Sequence, residues 1–273
     1  KMIFNYIHIA FNRILKVLNI NLMIVLFSTL LFVPRVLFAE QTIKVGGYLF
    51  PPFVVQDEDG SLSGTTLDLI DLLNATQDEY YFEFYFTTPT RRYMELAAGK
   101  YDVMFFEDKQ WGWSGYDVQE TKKLIESNQV YIANRQKAEG QSYFTSLAHK
   151  LILGVRGYNY GFANFISDPK SISRMFNVRL VTSPDLILPL VIKNKVDVSV
   201  ISGSYVLQKS LQDPEILSSI IISEKIDRSS RLGVLVSKYA DISVESFNSI
   251  IDRLITDKTF EIFWLQQYLE IST

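Results

Sequence analysis

Two adjacent carboxylates, Glu107 and Asp108, follow a short apolar run and precede two tryptophans, Trp111 and Trp113. Carboxylates at the end of a buried strand can hold a cationic amine, and an indole face adds a cation–π attraction of ~0.5–2 kcal/mol. The same two acids could act as acid and base in a closed cleft, while a solvated acidic loop is the simpler explanation. We expect Glu107, Asp108 and Trp111 to contact a small ligand.

Arginines at two places are suited to an anion. Arg91 and Arg92 stand where a helix should begin, and a cation in a first turn opposes the helix dipole at a cost of ~0.3–1 kcal/mol. This placement favours Arg92 as a contact to a ligand anion, with a salt bridge to Glu95 as the alternative. Arg156 follows a predicted strand and precedes Gly157, where a guanidinium can bind an anion in bidentate fashion.

The remaining candidates follow from where ligands bind in open α/β sheets, which is beyond the carboxyl ends of the strands. Tyr48 and Phe53 come after the first predicted strand and form either a stacking wall or ordinary packing. Tyr158 and Asn159 occupy the corresponding place in the second half. Ser202 offers a hydroxyl to a ligand or caps a helix, and the cap is the simpler role.

The elements that must position these residues alternate between short apolar runs and amphipathic segments, which predicts an α/β architecture. Strands are predicted at 43–47, 81–86, 101–106, 150–155 and 231–237, with a further strand that ends at 201. Helices are predicted at 67–75, 91–98, 117–125, 184–193, 244–255 and 259–269. Thr65 or Thr66 is the predicted cap of the first helix.

The same plan is used twice along the chain. Both halves begin with a strand, a glycine and a tyrosine, and both end with a helix, the pattern Lys-x-Asp-Val and another strand; Asp102 and Asp197 are the two aspartates. The repeat predicts two lobes, one formed by 40–132 with 223–273 and the other by 133–222. Two extended crossings, near 129–133 and 222–232, would form the hinge.

These pieces, in this order, resemble the family 3 extracellular solute-binding proteins of bacteria, which serve polar amino-acid transporters. The matching residues are Val45, Pro51-Pro52-Phe53, Asp59-Gly60, Gly64, Asp68-Leu69, Leu96, Gly99 to Val103, Gly154 to Gly157, Lys195 to Val198 and Leu232 to Val236. The resemblance covers the chain after residue 39. It implies a type II periplasmic-binding fold, in which each lobe is a sheet flanked by helices and a ligand cleft lies between the lobes.

The resemblance also implies a function. A protein of this kind captures a solute and delivers it to the membrane permease of an ABC-type transporter, without catalysis. A sensor that presents its closed state to a membrane receptor is the alternative, and a dehydratase-like enzyme on the same fold is a less favoured one.

The chain departs from the family at both ends of the amino-acid clamp. The family's Thr-x-x-Arg motif, whose arginine binds the ligand carboxylate, is missing, because residues 107–114 contain no arginine. The aspartate that binds the ligand amine is replaced by Ser202. We therefore expect a small polar or amine-bearing ligand other than an ordinary α-amino acid.

The N-terminal segment predicts export. Residues 1–39 contain four basic residues and no acidic one, an apolar run at 18–33, and Ala39 before Glu40. This order of features is typical of a signal peptide that is removed, and the run is shorter than the ~20 residues of a spanning helix. Retention as a membrane anchor is the alternative. The expected location is the periplasm.

Composition excludes several classes of site and partner. The net charge of −3 becomes more negative without residues 1–39, which argues against nucleic acid as a partner. The absence of cysteine excludes disulfides, thiol catalysis and thiolate metal sites. After residue 39 the only histidine is His149, which is too little for a zinc cluster. We expect a monomer that needs no cofactor and no metal.

Overall fold

A computed structural model describes residues 41–267, so the predicted signal peptide lies outside the described residues. The strands are β1 (Gln41–Gly47), β2 (Val55–Gln56), β3 (Leu62–Ser63), β4 (Tyr80–Phe86), β5 (Val103–Glu107), β6 (Val118–Glu120), β7 (Ile125–Asn134), β8 (Ile152–Val155), β9 (Val178–Val181), β10 (Val198–Ser202) and β11 (Ile220–Ser237). The α-helices are α1 (Thr65–Thr76), α2 (Arg92–Ala97), α3 (Pro169–Met175), α4 (Ile187–Ile192), α5 (Gly203–Gln212), α6 (Glu215–Ser219), α7 (Val244–Thr256) and α8 (Thr259–Gln267). Within 41–267 no helix is both long and apolar enough to cross a membrane.

The first lobe is built on strands β4, β1, β5 and β11, in that order. Strand β1 pairs in parallel with β4 and β5, and β11 runs antiparallel to β5. Apolar side chains of the sheet, such as Val45 and Val103, share one core with Leu69 of α1 and Ile250 of α7. Strand β5 is buried over its whole length, as expected for a strand covered on both faces.

The second lobe is built on strands β7, β10, β8 and β9. Strand β8 pairs in parallel with β10 and β9, while β7 and β10 are antiparallel. Two apolar clusters cover the sheet: Leu153 and Val155 belong to one, and Val198 and Val200 belong to the other. Side chains of a strand alternate between faces, so each cluster takes every second residue.

The repeated Lys-x-Asp-Val segments make the same contact in both lobes. Asp102 Oδ2 accepts a hydrogen bond of 2.8 Å from the backbone N–H of Lys44 in β1. Asp197 Oδ2 accepts one of 2.6 Å from the N–H of Leu151, directly before β8. Each aspartate therefore ties the chain before its own strand to the neighbouring parallel strand, which explains why the pattern recurs.

Strands β7 and β11 connect the two sheets. They pair antiparallel from Leu232 opposite Ile125 to Ile220 opposite Asn134, and β11 continues into the first lobe beside β5. The register of β11 shifts between residues 222 and 228. The two predicted crossings fall on these strands, and the predicted two-lobed α/β fold is confirmed. The exact lobe boundaries stay a prediction.

Two local predictions are wrong. The segment 117–125 is not a helix, because hydrogen bonds hold it extended along β11. The N–H of Thr121 donates to the carbonyl of Val234, whose own N–H donates to the hydroxyl of Thr121, and the N–H of Leu124 donates to the carbonyl of Leu232. Helix α1 has no side-chain cap, because its N-cap residue is Gly64. The hydroxyl of Thr65 instead contacts the carbonyl oxygen of Pro52.

Candidate functional site

The carboxyl ends of β1 and β5 and the start of α2 bring Tyr48, Glu107 and Arg92 together. Glu107 is fully buried, and Arg92 Nε lies 3.2 Å from its Oε1. The same oxygen accepts a hydrogen bond of 3.0 Å from the indole N–H of Trp113. Tyr48 donates its hydroxyl to Oε2 at 3.1 Å. We call these four residues the Glu107 cluster.

The guanidinium of Arg92 is enclosed on every side. Its carbon lies 4.9 Å from the ring centroid of Tyr48 and 4.2 Å from that of Tyr93. One terminal nitrogen donates to the carbonyl oxygen of Pro89, and at 3.3 Å to that of Gly157 in the second lobe. Arg92 therefore binds the other lobe through backbone oxygen. Its neighbour Arg91 makes the predicted alternative contact, a 2.6 Å salt bridge to Glu95.

Burial and charge act in opposite directions on this pair. Burial raises the pKa of Glu107 above its ordinary value, against the opposing effects of Arg92, Trp113 and Tyr48. Burial alone would lower the pKa of Arg92, but the charge of Glu107 raises it above its ordinary value. Both oxygens of Glu107 already accept hydrogen bonds or face a cation, so the carboxylate is committed to neighbours within the protein.

The raised pKa of Glu107 has a measurable consequence for the variant Glu107→Gln. A carboxyl whose pKa is higher in the folded than in the unfolded state stabilises the folded protein. The full contribution is present below the pKa of the unfolded state, about 4.3, and it is lost as the pH rises through the folded-state pKa. The stability of the native protein, measured relative to Glu107→Gln by urea unfolding, should therefore decrease from pH 4 upwards. An increase over that range would show that the ion pair outweighs burial.

The second lobe supplies two of the predicted residues to the same place. Tyr158 donates its hydroxyl to the carbonyl oxygen of Leu49, and its ring meets those of Tyr48 and Phe50 edge-on. With its amide oriented to satisfy its neighbours, Asn159 accepts a hydrogen bond of 3.1 Å from Arg92. The two lobes thus meet through buried polar groups, as in a closed cleft.

Arg228, in β11, was missed by the sequence analysis. Its guanidinium lies 4.1 Å from the ring centroid of Trp111, and it donates to the carbonyl oxygen of Asn159 at 2.6 Å. Burial lowers its pKa. The preceding residue, Asp227, accepts hydrogen bonds from the N–H groups of Gly161 and Phe162. The only signal in the sequence was a pair of charges inside a predicted crossing.

The guanidinium of Arg228 covers one face of the Trp111 ring, where a ligand cation was predicted, and ligand contact by Trp111 stays a prediction. The indole N–H of Trp111 is buried and has no hydrogen-bond partner within residues 41–267. It remains available as a donor to a ligand.

The other predicted residues lie further apart. Phe53 stacks on Phe106 at 4.5 Å between centroids, within the core. Asp108 accepts a hydrogen bond from the N–H of Gln110. Ser202 occupies the N-cap position of α5 but makes no capping hydrogen bond, so the predicted cap is wrong. Arg156 is exposed. Ligand contact by any of these residues stays a prediction.

Two cavities border these residues. The smaller, of about 190 Å³, is lined by Leu49 and 86–90 from the first lobe and by Arg156 and Thr182 from the second. The larger, of about 690 Å³, is lined by residues 108–110, 114, 120, 123 and 229–231. Of the two, the smaller is shared by both lobes.

Comparison with known proteins places the fold. No protein-family model matches the sequence, and no curated protein matches it either. A substrate-binding protein of an ABC uptake transporter from Streptococcus pneumoniae, with bound histidine, superposes with a TM-score of 0.68 at 14% identity, covering 85% of this chain and 94% of that one. A histidine kinase sensor domain with similarity to periplasmic binding proteins gives a TM-score of 0.65 at 17% identity, covering 85% and 98%.

A third similar structure is that of an ancestral amino-acid-binding protein, a precursor of cyclohexadienyl dehydratase. It has a TM-score of 0.65 and 16% identity, and covers 83% of this chain and 95% of that one. Identities this low establish the fold alone. The strand order, the two crossings and these superpositions agree: the chain has the two-lobed fold of the periplasmic binding proteins.

Proposed function

We propose that this protein is a periplasmic solute-binding protein, which captures a small polar solute between its lobes and delivers it to an ABC-type transporter. The observation that carries the proposal is the set of buried polar contacts between the lobes. Arg92 donates to Gly157, Tyr158 donates to Leu49, and Asn159 accepts from Arg92. Such contacts exist only when the lobes are closed.

Closure is the event that a solute would control. A ligand that touches both lobes binds the closed state more tightly than the open state and so shifts the population towards closure. Strands β7 and β11 are the connections about which the lobes would turn. In this proposal residues 1–39 are an export signal, and the lobes have the boundaries predicted from the sequence repeat.

The same binding event could serve a receptor instead of a transporter. The similarity to a histidine kinase sensor domain supports this second candidate, in which the closed state is presented to a membrane receptor. The two candidates share the binding site and differ only in the partner that reads the closed state.

Binding without catalysis is supported by the state of the two candidate acids. Glu107 is committed to Arg92, Trp113 and Tyr48, and Asp108 accepts from the backbone of its own turn. A general acid–base pair needs a carboxyl that can reach the substrate. These contacts leave Glu107 without an oxygen for that task, so Asp108, which lines the larger cavity, would not have Glu107 as its partner, although one similar structure is a dehydratase precursor.

Thermal unfolding with a panel of small solutes tests the proposal. A solute at 100 times its dissociation constant stabilises the folded state by ~2.7 kcal/mol. For a protein of this size that gain raises the melting temperature by about 5–10 °C. The solute should be recovered unchanged after prolonged incubation. Conversion of the solute would favour an enzyme, and absence of any stabilising solute, including those retained in native mass spectrometry, would contradict the proposal.

A further inference from the structure

We propose that the 190 Å³ cavity between the lobes binds a small organic carboxylate, with the guanidinium of Arg156 as its ionic partner. This inference rests on the proposed function, since it names the class of solute that the closed cleft would hold. It assigns the solute to the rim of the interface between the lobes, because the centre of that interface is filled by protein side chains.

The centre is filled by the Glu107 cluster and its aromatic neighbours. Phe50 contacts Trp111 at 5.7 Å and Tyr158 at 5.6 Å between ring centroids, and Arg228 covers Trp111. Arg92 is only 1% exposed. Space shared by the lobes therefore lies beside this packing, where Leu49 and the turn before α2 face the end of β8.

Arg156 offers a cation to that space. Its backbone N–H donates to the carbonyl oxygen of Val181 at 2.9 Å, which fixes the residue beside the end of β9. Its exposed side chain makes no ion pair and no hydrogen bond with other described residues, 41–267. The buried arginines Arg92 and Arg228 already have protein partners. Arg156 is thus the cation in the lining that can bind an anion through two parallel N–H groups.

The remaining lining selects the type of anion. Thr88, Thr90 and Thr182 bring hydroxyl groups, while Leu49 and Phe86 bring apolar surface. A carboxylate with a short hydrocarbon body uses both kinds of contact, whereas inorganic phosphate has no group to place on the apolar wall. No acidic residue lines the cavity, so the cationic amine of an amino acid would find no charged partner there.

The size of the cavity agrees with a small solute. A volume of 190 Å³ is about six times the ~30 Å³ that one water molecule occupies in the liquid. It lies below the ~300–1,000 Å³ of pockets for drug-sized ligands. An acid with a few carbon atoms fits this space.

Occupation of the cavity would favour closure. Gly157, next to Arg156, packs against Pro89 and Thr90 of the first lobe, so the cavity exists only when these segments meet. A carboxylate that bridges Arg156 and the hydroxyls of the first lobe binds the closed state alone. The larger cavity lacks this property, because its lining residues all fall within the predicted first lobe.

The test compares four proteins by isothermal titration calorimetry and thermal unfolding: the native chain, Arg156→Ala, Arg156→Lys and the control Arg179→Ala. Arg179 is an exposed arginine of the same lobe on β9, outside the cavity lining. The probes are acetate, propionate, lactate and pyruvate, with alanine, ethylamine and inorganic phosphate for comparison. Melting temperatures without probe establish that each variant is folded.

We expect at least one carboxylate to bind the native chain and Arg179→Ala equally, and to bind Arg156→Ala at least tenfold more weakly. Arg156→Lys should recover part of the affinity, because it keeps the charge but not the paired N–H groups. Equal binding of the carboxylate to Arg156→Ala would overturn the inference, as would binding of only alanine, ethylamine or phosphate. In those cases the proposed function survives, whereas failure of every solute in a wider panel removes both.

Discussion

Replacement of Arg92 by methionine is expected to lower the free energy of unfolding by about 3–5 kcal/mol, the range found when one partner of a buried ion pair is removed. Arg92 and Glu107 are each about 1% exposed at the side chain. Without the guanidinium, Glu107 stays charged without its partner or takes up a proton. The carbonyl oxygens of Pro89 and Gly157 also lose a donor. Urea unfolding at pH 7, followed by circular dichroism, measures the loss.

The neighbouring residue provides the matched control. Arg91 is 66% exposed at the side chain, so its salt bridge to the partly buried Glu95 is open to solvent on the arginine side and Arg91→Met should cost no more than about 1 kcal/mol. The double variant Arg92→Met with Glu107→Gln should recover part of the loss, because no charge is then left buried. If Arg92→Met costs no more than Arg91→Met, the pair does not support the interface between the lobes.

Gly157→Ala is expected to weaken binding of a stabilising solute by about 10–100-fold. The new methyl group would lie 2.8 Å from Cγ2 of Thr90 and 3.0 Å from Cβ of Pro89, both in the first lobe. Such overpacking costs about 1–3 kcal/mol, and every 1.4 kcal/mol is about a tenfold change in affinity. The cost falls on the closed state, so small-angle scattering should show a larger radius of gyration in the presence of solute.

Gly157 also has a φ of +82°, which strains alanine whether the lobes are open or closed. Gly60→Ala separates the two effects, because Gly60 has a φ of +87° and a methyl group there meets no atom within 4 Å. Gly60→Ala should lower stability and leave affinity unchanged. Thr90→Ser, which removes Cγ2, should restore part of the affinity of Gly157→Ala. Equal affinities of the two alanine variants would contradict a role for Gly157 in closure.

Much of the fold could be predicted because its signals are local. The strands at 43–47 and 101–106 are apolar runs, and helix α7 has an apolar face that was predicted to within one residue. The repeated aspartates mark equivalent strands because each makes the same backbone contact. The helix predicted at 117–125 was wrong because the conformation of this segment is not determined locally. It depends on pairing with β11, more than 100 residues later.

The partners within the candidate site could not be predicted from the sequence. Glu107 lies 15 residues from Arg92, and Trp111 lies 117 residues from Arg228. No sequence pattern around one member of either pair indicates its contact with the other. The residue types were informative: a buried acid, a first-turn arginine and a tryptophan do meet at the strand ends. The contacts between the lobes depend on distances that no sequence pattern encodes, and ligand contact by Glu107, Asp108 and Trp111 stays a prediction.

The hydrogen bonds of Asp227 and Arg228 limit which part of strands β7 and β11 can bend. Three hydrogen bonds join these two residues to the loop 159–162, so we expect this part of β11 to move with the second lobe, although the predicted boundary assigns it to the first. Rotation of the lobes would then occur at the neighbouring residue pairs of β7 and β11, where 126–128 lie opposite 229–231. We therefore expect the pivot on the first-lobe side of these hydrogen bonds, with the loop that carries Asn159 turning together with the second lobe.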